Sequence, residues 1–205
     1  MSAIELTTPI PNEQIAKLKA GDPVLLNGTM VTARDAGHKY LIENFVEQHN
    51  EAEQETFDKL RGYLENGIIY HCGPVVKKEE NGSYRFISAG PTTSIREEVY
   101  ESEVMALFDI AGVIGKGGMG GKTLKGCMES TCVYFHAIGG AGALIAKSVK
   151  RVVDVLKIEF GTPEAFWVIE VENFPCLVTM DSHGNSVHDR VAEESGRKFK
   201  EMLDR

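Results

Sequence analysis

Ser88-Ala89-Gly90-Pro91-Thr92-Thr93-Ser94-Ile95-Arg96 joins a strand-like run to a helical one, and that junction sets the class of fold. Residues 84–88 read as a strand, and Gly90-Pro91 breaks it. The hydroxyls of Thr92, Thr93 and Ser94 can then cap free backbone N–H groups, and Ser94-x-x-Glu97 fits a capping box opening a helix over residues 94–108. Arg96 falls in the first turn of that helix. A helix start already carries positive partial charge, so a cation there is mildly unfavourable unless an anion binds beside it. A small carboxylate is the natural anion. The plain alternative is an arginine turned to solvent.

Strand-like and helical runs alternate on both sides of this junction, which predicts a single mixed α/β domain. Upstream, residues 24–31 read as a strand, residues 32–39 enter a helix, and an acidic helical stretch covers 47–65. Residues 67–72 and 84–88 read as strands flanking a turn at 77–82. Downstream, one strand ends at Ile114 and another covers 133–137. Gly139-Gly-Ala-Gly-Ala-Leu144 then opens a helix predicted through Leu156, because Leu144, Ile145, Val149, Val152, Val153 and Leu156 fall on one stripe. Residues 167–171 and 177–180 are the final strands. The charged segment 189–205 reads as a solvated terminal helix, leaving a core from about 6 to 188 in one domain of 1–205.

Two further segments carry cations. Ile114-Gly-Lys-Gly-Gly-Met-Gly-Gly-Lys122 places Lys116 in a loop whose backbone can approach a ligand closely. It is not a phosphate-binding P-loop: Gly115 and Gly120 have the right interval, but Gly121 stands where that motif needs Lys. Near the N-terminus, Thr32-Ala-Arg-Asp-Ala-Gly-His38 starts a helix that Thr32 or Asp35 can cap. Arg34 and His38 are four residues apart and share one helical face. An ordinary alternative for His38 is a hydrogen bond to a neighbouring carboxylate.

With 42% hydrophobic and 25% charged residues in a 205-residue chain, one substantial core needs no disulfide or metal to hold it. A net charge of −8 argues against nucleic-acid binding. No stretch approaches the roughly 18 apolar residues of a membrane span. The start, Met-Ser-Ala-Ile-Glu-Leu, lacks the basic and apolar regions of a signal peptide, and the expected location is cytoplasmic. Without an export signal, Cys72, Cys127, Cys132 and Cys176 are expected as buried thiols. Cys127 and Cys132, with His136 four residues on, have a metal-like spacing, but Cys132 begins the apolar run Cys-Val-Tyr-Phe, and a core role fits better.

Gly28-Thr-Met-Val-Thr-Ala-Arg-Asp-Ala-Gly-His38, Gly90-Pro-Thr-Thr-Ser-Ile-Arg96, Gly115-Lys-Gly-Gly-Met119 and Asp181-Ser-His-Gly-Asn185 occur in this order, and together they resemble the β subunit of class I fumarases and L-tartrate dehydratases. The resemblance runs from about Leu6 to His188. It implies the swivelling β/β/α fold, a mixed sheet with flanking helices. It also implies a 4Fe-4S cluster bound by a partner α subunit and not by this chain, a dimer of αβ units, and a dicarboxylate substrate.

Carried onto this sequence, the resemblance makes Arg34, Arg96 and Lys116 the holders of the substrate carboxylates, with Thr92, Thr93 and Ser94 beside them. Thr92 matches the family's proton-abstracting hydroxyl, next to the Arg96 guanidinium. His38 matches a position regarded as catalytic in tartrate dehydratases. A Thr hydroxyl is a poor base unless a strong positive field surrounds it, whereas an imidazole is a good base near neutral pH, so both remain open as the base. Fumarate is the favoured substrate over L-tartrate because residues 32–38 and 133–144 look closer to fumarases. A stand-alone dicarboxylate-binding module without catalysis is the alternative of another class.

Overall fold

The computed structural model describes residues 2–204. Its frame is a seven-stranded mixed sheet of β1 (Ile4–Thr7), β2 (Pro23–Thr32), β3 (Ile68–Tyr70), β6 (Gly112–Gly115), β7 (Val133–His136), β9 (Phe166–Met180) and β8 (Val149–Leu156), in that spatial order. A separate hairpin is formed by β4 (Val75–Lys78) and β5 (Tyr84–Ser88). The strands β1, β2, β3, β6 and β7 run parallel to their neighbours in that set. The long β9 is antiparallel to β7, β8 and β2, and its contact with β2 closes the sheet on itself.

Strand alternation sorts the side chains between two cores. Ile68 and Tyr70 enter one with Leu26, Met30, Phe135, Trp167 and Phe174, while Ile69, between them, enters the other with Val31, Val113, Tyr134 and Val168. Because both faces are covered, these strands are apolar almost throughout. Helices cover the second core: α2 (Asp35–Leu41) through Leu41, α3 (Gln54–Leu64) through Leu60 and Leu64, α4 (Glu101–Phe108) through Val104, Met105 and Phe108, and α5 (Gly121–Glu129) through Cys127. The short α1 (Asn12–Ile15) and α6 (Gly142–Ile145) bury Ile15 and Ile145 in the first core. The terminal α7 (Val187–Leu203) buries no residue.

Four elements depart from the sequence-based expectations. The helix predicted through Leu156 ends at Ile145, followed by a 3-10 turn Ala146–Ser148, and residues 149–156 form the edge strand β8. Its β-branched run fits a pleated surface beside β9, which supplies the hydrogen bonds. The helix predicted over 94–108 is split into a 3-10 turn Ser94–Glu97 and α4. Thr93 occupies the cap position without a side-chain cap bond, so the capping box is not made. Likewise α2 starts at Asp35 with Arg34 at its cap; Thr32 stays in β2, where its hydroxyl accepts from the Trp167 backbone N–H at 3.1 Å. The last two predicted strands are one continuous β9.

Among the described residues, no helix is long and apolar enough to cross a membrane.

Candidate active site

The parallel strands end side by side, and the candidate residues follow their carboxyl ends. Arg34 comes two residues after β2, Lys116 directly after β6, and His71 directly after β3. The loop carrying Thr92 is tied to the Lys116 loop by an isolated parallel bridge between Thr93 and Lys116. In that bridge Lys116 N–H donates to the Thr92 carbonyl at 3.2 Å and Ser94 N–H to the Lys116 carbonyl at 3.0 Å. Thr92 N–H in turn donates to the His71 carbonyl at 2.7 Å. The backbone of Thr92 is thus held at both ends, with Thr92 half-buried and Thr93 exposed.

Each cation has a distinct setting. Arg96 is exposed and ion-paired with Asp35, which links the hydroxyl loop to the first turn of α2. It belongs to a 3-10 turn, so the expected conflict with an α-helix dipole does not arise. Arg34 has one carboxylate partner, Glu164, 3.4 Å from Nη1, and its buried Nε has no hydrogen-bond partner among the described residues. The stem of Arg34 packs against Gly73: a Cβ there would collide with Nη1 and stand 2.9 Å from Cδ. Lys116 has no carboxylate within 4.0 Å among the described residues, and its stem passes Gly139. Gly117 and Gly118 turn the chain after it with φ of 82° and 81°, a conformation that favours glycine.

His38 and Ser94 face inward. Both are fully buried. His38 lies with Nδ1 3.0 Å from the Arg34 carbonyl oxygen and Nε2 3.2 Å from Glu101 Oε2. The Ser94 hydroxyl lies 2.9 Å from His71 Nδ1 and accepts from the Tyr134 hydroxyl at 2.9 Å. His71 Nε2 reaches the same Glu101 oxygen at 2.8 Å. Burial would push His38 down, but the Glu101 charge beside it, with Glu97 nearby, raises it to about 9. Burial also pushes against ionised Glu101, yet His71 and His38 hold it down at about 2. His71 is pushed below its ordinary value, chiefly by burial. Burial raises Glu97, whose carboxylate oxygens find no hydrogen-bond donor among the described residues.

The sequence does not mark His71, Glu101 and Tyr134, and it marks Glu97 only as the acidic member of a capping box. The available signal is small: a His inside the apolar run Ile68-Ile69-Tyr70-His71-Cys72, and two Glu four apart leading into an apolar helix face. The Asp181 to Asn185 segment has a structural part. The Asp181 carboxylate accepts from the backbone N–H groups of Ala20, His183 and Asn185, pinning an N-terminal turn to the end of β9.

Among the described residues, His38, His71 and Glu101 alone bring metal-donor atoms within 4.8 Å of one another, and those atoms are the ones that face each other as donors and acceptors. The cysteines do not fit an iron–sulfur cluster. Cys72 belongs to one core, with Cys176 packed against it, while Cys127 and Cys132 lie in the other. Burial pushes the Cys72 thiol up to about 12 and raises Cys132 and Cys176 as well, which opposes thiolate ligation.

Residues 1–191 match the family described as Fumarase C-terminus. The chain is 46% identical, over 97% of its length, to a protein of Geobacillus stearothermophilus assigned as a class I fumarate hydratase, of which it spans 36%. It is 42% identical to a Methanocaldococcus jannaschii protein assigned as an L(+)-tartrate dehydratase subunit beta, covering 95% of each chain. It is 37% identical to the L(+)-tartrate dehydratase subunit beta of Escherichia coli K12, covering 97% of this chain and 91% of that one.

Proposed function

This chain belongs to the Fumarase C-terminus family, and from that premise we propose that it is the β subunit of an iron–sulfur-dependent hydro-lyase that interconverts fumarate and L-malate. One observation carries the reading of the site: the Thr93–Lys116 bridge and the Arg96–Asp35 pair bring three cation-bearing segments, far apart in sequence, to one end of the parallel strands. The 46% identity to a protein assigned as a fumarase favours fumarate. L-tartrate is the second reading, favoured by two relatives of nearly this chain's own length that bear that name.

Removing a proton next to a carboxylate pushes negative charge onto that carboxylate, and fixed cations stabilise it best. Arg34, Arg96 and Lys116 hold the two carboxylates of the substrate. Arg34 is partly exposed and has a single carboxylate partner, at Nη1, so its guanidinium has donors left for a substrate carboxylate. Thr92 is the proton-accepting hydroxyl, with its backbone fixed by His71 and Lys116. His38, fully buried, is further from such a role. Thr93, exposed beside Lys116, completes the polar wall.

The 4Fe-4S cluster of this reading resides on an α subunit, since the cysteines here do not suit it. Exposed Ile95, Val99, Ile138 and Leu144 neighbour the cationic loops in sequence or space and supply the apolar surface on which that subunit would close. The test is anaerobic mixing of the purified chain with a cluster-loaded α subunit, assayed on fumarate, L-malate and L-tartrate. The expected result is no hydro-lyase activity and no stoichiometric iron or sulfide on the chain alone, with activity on mixing. Iron and sulfide on the isolated chain would overturn the assignment. Dicarboxylate binding without activity in any mixture would instead favour the stand-alone module.

A further inference from the structure

Behind the cationic wall, the buried side chains of Tyr134, Ser94, His71 and Glu101 form one hydrogen-bonded chain, and buried His38 joins it through an ion-pair contact with Glu101. Its donor directions follow from what each group can do. The Tyr134 hydroxyl donates to Ser94 Oγ at 2.9 Å, so the Ser94 proton is free to point at His71 Nδ1, also at 2.9 Å. With Nδ1 accepting, the His71 proton lies on Nε2 and is donated to Glu101 Oε2 at 2.8 Å. His38 lies with Nδ1 3.0 Å from the Arg34 carbonyl and Nε2 3.2 Å from the same Glu101 oxygen, the latter a charge contact without hydrogen-bond alignment. An imidazole with a carbonyl oxygen at one nitrogen and a buried carboxylate at the other, and a second carboxylate 4.0 Å away, is best matched by its doubly protonated cation. All five side chains are buried, so water cannot replace any of these partners.

Three members of the chain, His38, Ser94 and His71, meet the backbone of the cation-bearing loops. At the His38 end the acceptor is Arg34's own carbonyl; further along, the Ser94 backbone N–H donates to the carbonyl of Lys116 and the His71 backbone carbonyl accepts from the N–H of Thr92. We propose that His38, Glu101 and His71 act as positioning residues, a buried imidazolium–carboxylate–imidazole chain that fixes Arg34, Thr92 and Lys116 relative to one another. The proposal rests on the reading of those three as substrate-contacting groups. It places His38 behind the site and not against the substrate. A displacement of about 1 Å in such groups is enough to cost about 10²-fold in rate.

Two measurements test it, one of which needs no activity. Ring-nitrogen NMR of the chain with isotope-labelled histidine, from about pH 6 to pH 8, is expected to show His38 protonated on both nitrogens and His71 neutral with its proton on Nε2. Glu101 and Glu97 are the acidic groups facing His38, and His71 is its basic neighbour. Two neutral imidazoles, or a stoichiometric transition metal found on the chain by elemental analysis, would overturn the proposal. In the assembled enzyme, Glu101→Gln is expected to lower kcat/KM by about 10²-fold while the folded fraction stays high, and Glu101→Asp to recover part of it. Melting and circular dichroism of the same samples separate positioning from folding. A folded Glu101→Gln enzyme with normal kcat/KM would overturn the proposal, as would an activity loss wholly accounted for by unfolded protein. If wild-type mixtures have no hydro-lyase activity, the functional reading fails and the ring-nitrogen spectra decide the hydrogen-bonded chain by themselves.

Discussion

Arg96 and Asp35 form an ion pair between the 3-10 turn that follows the hydroxyl loop and the first turn of α2, with both side chains more than one-third exposed. The pair orients Arg96 beside the segment that carries Arg34. Exposed pairs of this kind contribute only about 0–1 kcal/mol to stability. Arg96→Ala should therefore leave the melting temperature almost unchanged, yet cost about 10²–10³-fold in turnover, comparable to deleting one preorganised donor. Steady-state kinetics and thermal melting of the reconstituted variant check both halves. A stable variant with near-normal turnover would make Arg96 an ordinary surface residue.

Gly73 offers a way to move a cation without changing any charge. A methyl group there would collide with Arg34 Nη1 and crowd Cδ at 2.9 Å, and the Pro163 carbonyl oxygen at 3.0 Å blocks retreat on another side. Gly73→Ala should displace the guanidinium and lower kcat/KM by about 10-fold or more. Gly62→Ala is the matched control, because a Cβ at Gly62 meets nothing within 4 Å. Equal kinetics for the two variants would mean that the placement of Arg34 is immaterial.

The buried histidines predict a pH dependence of stability. His38 is raised from 6.5 to about 9, so its contribution is complete below pH 6.5 and is lost as pH rises through about 9. Glu101, held at about 2, contributes fully above its ordinary 4.5 and loses that contribution only as pH falls toward 2. His71, pushed below 6.5, has the opposite sign from His38, and its unfavourable share is gone once pH exceeds 6.5. Urea midpoints should accordingly fall between pH 7 and pH 9 in the wild type, and the slope should flatten in a folded Glu101→Gln variant. A wild-type midpoint that is flat or rising over that interval contradicts the assignment of charge to His38.

The frame of this fold is legible in the sequence where chemistry is local. The apolar runs of β2, β6 and β7 and the glycine loop after Gly115 announce themselves by composition and turn residues. Residues 149–156 do not, because Val149, Val152, Val153 and Leu156 satisfy a helical stripe as well as a strand, and only the hydrogen bonds offered by β9 decide between them. The site divides in the same way. Arg34, Thr92, Arg96 and Lys116 stand out as cations and hydroxyls in glycine- and proline-marked loops. His71 and Glu101 are buried partners whose meeting is a tertiary event across 30 residues of sequence, and neither carries a local mark of it.

The central claim is that Arg34, Arg96 and Lys116 grip two carboxylates by geometry as well as charge. Its most direct test is kcat/KM of the assembled enzyme on fumarate, L-malate and L-tartrate for Arg34→Lys, Arg96→Lys and Lys116→Met, set against Lys78→Ala on the remote hairpin strand β4. Lys cannot reproduce the planar two-point hold of Arg, so both charge-conserving variants should remain impaired by about 10²-fold, as should Lys116→Met, while Lys78→Ala stays near wild type. Comparable impairment by Lys78→Ala and Arg96→Lys would show that only diffuse positive charge is being read, and the clamp would be contradicted.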